Sequence, residues 1–397
     1  MVISLYIHKM LYKFGGTESF TAKFLEIMQS IYPNEQIALI TECFKNDDEI
    51  SDSQFIERMN GAYGTLVSEN NFSVRYIYTR EPKLSGNAIK KAFCRLQRKI
   101  NAVSFQKKLS TCTQNDDLFI NCSNQAVIGA AKRNITIIHF PQNRSEFTGI
   151  YKKLTFLKPL ARKNDKKYLS CYEYFLPNSQ FTSNWLKQKW GIADEKIKVF
   201  YHPVAPVLAQ SPKKQNQIFI CGRIESSKKI DVMVKAFNSS EILRKNCTLK
   251  IAGSCDNEDT SYIDYIRSLA NGNIEIILSP SRTELEQLYA ESSIFWHAKG
   301  YGETNPMLME HFGMTTVEAM SAGCIPVVIN KGGQTEIVTA DCGFLWNEPE
   351  ELVSYTEKLL KFPDETISKM QESCRERSKM CSKENFRESI KELLLQP

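Results

Sequence analysis

The sequence predicts an α/β protein built from two doubly wound parallel sheets. Three observations carry that expectation. At 397 residues, the chain is too long for one compact core and suits two domains. Apolar strand-like runs alternate with amphipathic helical stretches nearly throughout, the pattern of parallel strands joined by crossover helices. A polar, proline-bearing stretch then interrupts that rhythm near the middle of the chain.

In order, "VISLYIH" reads as the first strand. The turn "KFGGTESF" at 13–20 places Gly15 and Gly16 before the helical "TESFTAKFLEIMQSI", and "QIALIT" follows as the next strand. The interruption is "YHPVAPVLAQSPKKQNQ", 201–217, with three prolines and a basic centre. Beyond it the rhythm restarts with "QIFICGRI" and runs to "IPVVIN". The expected domains are therefore 1–205 and 206–365, with C-terminal helices over 366–397. In the last of these, Phe386, Ile390 and Leu393 share a face that must dock, and the helix is expected to cross back to the first domain. Two such domains leave a cleft, and ligands bind these sheets outside the carboxyl ends of the strands.

Composition narrows the function classes. A hydrophobic share of 42% and a charged share of 24% fit a soluble globular protein. No apolar run approaches the ~18 residues of a membrane span, and the N-terminus lacks a signal-peptide pattern. Twelve cysteines lie scattered without a C-x-x-C pair, so a reduced, cytoplasmic chain is expected. The net charge of +6 is unevenly placed. One basic run includes Lys90, Lys91, Arg95 and Lys99; another includes Lys152, Lys153 and Lys163 against a single Asp165. Such runs are either solvated helix faces or contacts to an anionic membrane, which would put the chain peripherally on the inner face of the cell membrane. Nucleic acid is not expected, because the runs lack interleaved aromatics.

Four stretches could carry chemistry. In "EHFGMTTVEAM", Glu310, His311 and Phe312 lie in a loop, Gly313 and Met314 at a helix mouth, and Thr315 and Glu318 within the helix. A helix amino end offers unpaired N–H groups and partial positive charge, which favour phosphate. The segment reads as a phosphate seat flanked by two hydroxyl-binding carboxylates, or else as an ordinary strand–loop–helix crossover. In "FICGRIESSKKID", Arg223 and Lys228 supply a planar fork and a point charge suited to a diphosphate; the alternative is surface charge beside a strand. Gly15 and Gly16 permit a tight turn, and His139 in "IIHFPQ" stands at a strand end, where a lone histidine is more often structural. A nicotinamide dehydrogenase would need G-x-G-x-x-G after a strand, and no such stretch exists here.

On these residues the chain resembles a retaining glycosyltransferase of the GT-B class, family 4, in the branch of α-1,2-mannosyltransferases of lipid-linked oligosaccharide assembly. The family's Glu–seven residues–Glu hallmark is matched by Glu310 and Glu318, its "GR…K" pair by Arg223 and Lys228, and its N-terminal glycine loop by Gly15 and Gly16. Its "NS" step is matched by Asn178 and Ser179, and its later "GG…E" loop by Gly332, Gly333 and Glu336. "EHFG" and "HFP" carry the branch likeness, with His311 where the common loop has glycine. The resemblance implies two Rossmann-like domains facing across a cleft. It implies that Glu318 binds ribose hydroxyls and Glu310 the donor sugar, with backbone amides from Phe312 to Thr315 on sugar and phosphate. Arg223 and Lys228 would neutralise the leaving diphosphate, and His139 would face the donor sugar. No cofactor and no metal are implied. The expected partners are a nucleotide sugar, tilted towards GDP-mannose, and a glycan or lipid-linked glycan acceptor in polysaccharide or lipopolysaccharide assembly. Open alternatives are a UDP-sugar donor, a GT-B epimerase or phosphorylase, and a non-catalytic basic membrane or nucleic-acid binder.

Overall fold

The structure is a computed structural model that describes residues 1–8, 10, 15–43, 50–79, 88–147, 152–208, 214–254 and 260–395, with the backbone alone for 88–100 and 146. The side chains of Lys90, Lys91, Arg95 and Lys99 therefore lie outside the described residues. The chain divides into two compact units. The first comprises Met1–Asn178, Thr182–Pro203 and Arg387–Pro397; the second comprises Ser179–Phe181 and Val204–Phe386.

The first unit holds strands β1 (Val2–Ile7), β2 (Gln36–Cys43), β3 (Phe72–Tyr78), β4 (Leu118–Asn121), β5 (Arg133–Ile138) and β6 (Tyr174–Pro177). They form one sheet in the order β3-β2-β1-β4-β5-β6, and every pairing is parallel. Parallel strands covered on both faces become near-continuous apolar runs, and β1 and β4 are buried almost end to end. Residues from Arg387 onward belong to this unit: Arg387 Nε donates to Ser30 Oγ at 3.1 Å, and an Arg133 guanidinium N–H reaches the Leu394 carbonyl at 2.9 Å. Phe386, Ile390 and Leu393 are all buried.

The second unit repeats the plan with β7 (Gln215–Cys221), β8 (Thr248–Gly253), β9 (Ile274–Leu278), β10 (Ser292–His297), β11 (Ile325–Ile329) and β12 (Phe344–Trp346). Its order is β12-β11-β10-β7-β8-β9, again wholly parallel. Strand order reverses between β7 and β10, and ligands of doubly wound sheets bind at such a switch point. The fold class read from the sequence, two Rossmann-like α/β domains, is what the structure shows. Helix Asp364–Ser378, part of the expected C-terminal extension, groups with the second unit.

Candidate active site

Two chain segments leave the switch point of the second unit. After β7 the chain passes Gly222 and Arg223 into a 3-10 turn, Ser226–Lys228. After β10, which ends at His297, a long loop leads to Glu310 and then to helix Met314–Ser321. Lys228 Nζ donates to Glu310 Oε2 at 3.0 Å, with both side chains mostly buried. His297 Nε2 lies 3.3 Å and Lys299 Nζ 3.9 Å from the same oxygen. Burial alone would push the Glu310 carboxyl up, but the ammonium groups of Lys228 and Lys299 and the His297 ring hold it well below the usual carboxylate range.

The second carboxylate has its own supports. Tyr289, on helix Arg282–Glu291, donates from its hydroxyl to Glu318 Oε2 at 3.0 Å. Arg282 stands 3.5 Å from Glu318 Oε1. Burial raises the Tyr289 phenol well above its ordinary value, so it remains a proton donor throughout the physiological range. Glu318 is thus aimed from a buried helix position, 8% exposed, by a neutral donor and a cation.

Between the carboxylates sits Gly313, the residue that precedes the helix, at φ 120. A Cβ there would lie 2.9 Å from Gln334 Nε2, so both backbone and space require glycine. Gly332, at φ 66, brings its loop against the Glu310 backbone, where a Cβ would stand 2.1 Å from the Glu310 carbonyl oxygen. The next amide, that of Gly333, donates to that oxygen at 2.8 Å. The glycine pair therefore pins the Glu310 loop beside the helix mouth. The first amides of helix Met314–Ser321, among them those of Met314 and Thr315, have no acceptor within the helix and present a positive end to a ligand. Phe312 is buried at 3% exposure and packs rather than contacts solvent.

His311 is held neutral, its pKa lowered by burial to about 4. The short piece Ser179–Phe181 meets it: Ser179 Oγ donates to the His311 carbonyl at 2.6 Å, and the Phe181 ring lies 6.4 Å from the imidazole in a stacked arrangement. Glu336 accepts from the backbone amides of Gln180 and Phe181 at 2.7 and 2.6 Å.

Arg223 is placed differently from Lys228. Its side chain is 59% exposed and pairs with Glu225 at 3.3 Å, lining a cavity of about 500 Å³ with Ser226, Tyr262 and Tyr265. Lys228 and Glu310 are brought together; Arg223 stands off from them.

In the first unit, Gly15 precedes helix Gly16–Ile31, and a Cβ on it would lie 2.9 Å from Glu18 Oε2. His139 follows β5 and is buried; its Nε2 lies 3.0 Å from the Cys122 carbonyl, which can only accept, so Nε2 carries the proton. Burial lowers the pKa of both His139 and His202, and the two rings pack edge to face at 5.0 Å, each against Phe20.

Several residues at the second unit's site had no sequence signal of their own. His297 is 4% exposed, and neither ring nitrogen has an aligned hydrogen-bond partner. Lys299 is two residues on. Gln334 is fully buried with both amide atoms unpartnered beside Gly313. Lys229 adopts φ 55, uncommon for a side chain, and binds Glu303 at 2.8 Å, while Lys331 Nζ donates to the Glu303 carbonyl at 3.0 Å. The strand-end position of His297 was the one available hint. Among the described residues, no group of three His, Cys, Asp or Glu side chains is arranged to hold a metal ion.

Compared with known proteins, residues 208–380 match the family described as glycosyl transferases group 1. The GDP-Man:Man(3)GlcNAc(2)-PP-Dol alpha-1,2-mannosyltransferase of Dictyostelium discoideum is 29% identical over 143 residues, which cover 34% of this chain and 26% of that protein. The enzyme of the same name from Mus musculus is 25% identical over 182 residues, covering 41% of this chain and 35% of that protein. The match thus spans about a quarter to a third of those relatives' own lengths. A crystal structure of Anabaena HepE in complex with UDP and glucose superimposes over 99% of both chains with a TM-score of 0.68 at 14% identity, a likeness of fold.

Proposed function

We propose that this chain, whose residues 208–380 match the family of glycosyl transferases group 1 and whose two parallel sheets have the GT-B plan, moves a hexose from a nucleoside-diphosphate donor to a glycan acceptor with retention of configuration. The donor in this reading is GDP-mannose and the acceptor a lipid-linked glycan, in the assembly of a cell-surface polysaccharide or lipopolysaccharide, with the chain on the cytoplasmic side. The mannosyltransferase relatives support the donor and acceptor classes.

The observation that carries the reading is the Lys228–Glu310 pair at the β7/β10 switch point, beside the amino end of helix Met314–Ser321. Cleaving the bond between anomeric carbon and phosphate oxygen builds negative charge on the diphosphate and positive charge on the sugar. Lys228 and the helix mouth meet the first; the Glu310 carboxylate, kept ionised by its neighbours, faces the sugar. Preorganised donors of this kind are each worth ~10²–10³ in rate. The acceptor hydroxyl attacks from the side the diphosphate leaves; its oxygen bonds to the anomeric carbon and its proton passes to the departing phosphate.

A UDP-sugar donor is the second reading, favoured by the UDP held in the Anabaena structure of like fold. Incubation with GDP-mannose or UDP-glucose separates them, with proton NMR of the released or transferred sugar. GDP-mannose consumption with the α-configuration kept supports the first reading. Consumption of UDP-glucose alone supports the second, and inversion or no turnover of either donor contradicts both.

A further inference from the structure

We infer that the outward face of the helical segment running from Thr155 through Cys171, in the first unit, docks on the surface of an anionic phospholipid bilayer. Leu154, Phe156 and Leu160 enter the headgroup boundary there, and a collar of bases sits on the lipid phosphates. The segment begins as a 3-10 turn, Thr155–Leu157, and continues as helix Lys158–Cys171. Its inward stripe is Ala161, Asp165 and Tyr168, all buried. At 100° per residue, Leu160, Lys163 and Lys167 turn away from that stripe, and Phe156 precedes them in the 3-10 turn.

That side is unusual in two ways. Phe156 is 74% and Leu160 52% exposed, with Leu154 at 38% beside them. A merely solvated basic face has no reason to hold large apolar groups in water, whereas an interfacial helix combines them with Lys and Arg. Phe147, 58% exposed, adds to the apolar rim, with Lys158 Nζ 6.0 Å from its ring centroid.

The second feature is charge. Lys152, Lys153, Arg162, Lys163, Lys166 and Lys167 are all exposed, and the one acid between 152 and 171 is Asp165. Asp165 is turned inward at 3% exposure, accepting from the Ser145 hydroxyl at 2.6 Å and the Ser145 amide at 3.1 Å, with Arg144 at 3.8 Å. The outward face is therefore positive without interruption. An anionic surface complements it, and the aliphatic leucines favour lipid over nucleic acid, which binds through aromatic stacking. Among the described residues, no helix is long and apolar enough to cross a membrane, so the association is with the surface. No residue of the transfer site takes part, and the inference stands apart from the donor chemistry.

The full chain is sedimented with vesicles of phosphatidylcholine alone and of phosphatidylcholine with phosphatidylglycerol, in about 0.1 M salt, where surface charge still acts over ~10 Å. Two variants, Phe156→Ser with Leu160→Ser and the Lys152, Lys153, Lys163 and Lys167→Gln set, are expected to raise the lipid needed for half binding by about tenfold or more. Their unfolding midpoints should stay near wild type because the altered side chains are exposed. Phe156→Trp should shift its emission to the blue on phosphatidylglycerol vesicles. Failure of the wild type to bind those vesicles, equal binding to both lipids, unchanged binding by either variant, or unmoved emission of the tryptophan would each overturn the inference.

Discussion

The two sheets share one strand order, yet the side chains that follow their strands differ. In the second unit, β7 and β10 lead to Lys228, Lys299 and Glu310, a cluster in which the two ammonium groups hold the carboxylate charged. In the first, the residue after β5 is a neutral imidazole that packs against a second neutral imidazole and a phenylalanine. Topology selects where a ligand can sit; the residues at the strand ends select which ligand. The edge that carries Lys228 and Lys299 suits a diphosphate; the first unit's edge carries His139 after β5 and, after β1, His8 beside the Glu42 carboxylate.

The comparison breaks most visibly if the charged edge proves idle. Replacing Lys228 with Ala should lower turnover ~10²–10³-fold while the far-UV spectrum stays close to wild type and the unfolding midpoint falls, because buried Glu310 loses one of its cations. A variant within twofold of wild type would show that the cluster serves packing alone. Next in size is Gly313→Ala. With φ at 120 and Gln334 in the way, it should cost about 1–3 kcal/mol in denaturant unfolding and weaken nucleotide binding; a neutral result would mean the helix mouth is pliant.

Acid acts on both edges. His139, His202, His297 and His311 all have pKa values lowered by burial. The unfolded chain therefore binds more protons than the folded one below about pH 6.5. Their stabilisation is complete above that pH and is lost as pH falls towards the folded values. His311, at about 4, should alone remove about 2 kcal/mol between pH 7 and pH 5, and His311→Gln should flatten that slope in denaturant titrations. Glu310 is depressed instead, so its stabilisation is present above the ordinary carboxylate range and fades only as pH drops below it. The smallest effect expected is Tyr289→Phe, about 1 kcal/mol from the hydrogen bond lost to buried Glu318, read as a shift in the denaturant midpoint with an unchanged slope.

Much of the fold was legible because parallel strands buried on both faces write themselves as unbroken apolar runs: β11, "IPVVI", is buried at all five positions. Lys228, Glu310 and Gly313 were legible because a strand end, a glycine and a helix start follow one another within a short span. Tyr289 and Arg282 were not, since they reach Glu318 from a helix about thirty positions away and only packing decides which of its faces turns inward. Lys229 stands beside Lys228 in the same sequence stretch, but its left-handed backbone does not show there, because glycine usually announces one and here a lysine adopts it. Arg223 and Lys228 looked equivalent in sequence; the structure sends one to Glu225 and the other to Glu310, a divergence within five residues that spacing does not encode.

The central claim, that Lys228 and the helix mouth hold a nucleotide's second phosphate, is tested most directly by thermal shift with GDP and GMP on wild type and on Lys228→Ala. A ligand bound to the folded state raises its apparent stability with the logarithm of its affinity. The account predicts that GDP raises the wild-type midpoint well beyond GMP and that this margin vanishes in Lys228→Ala. Equal shifts for the two nucleotides in the wild type, or a margin that survives the substitution, would contradict it.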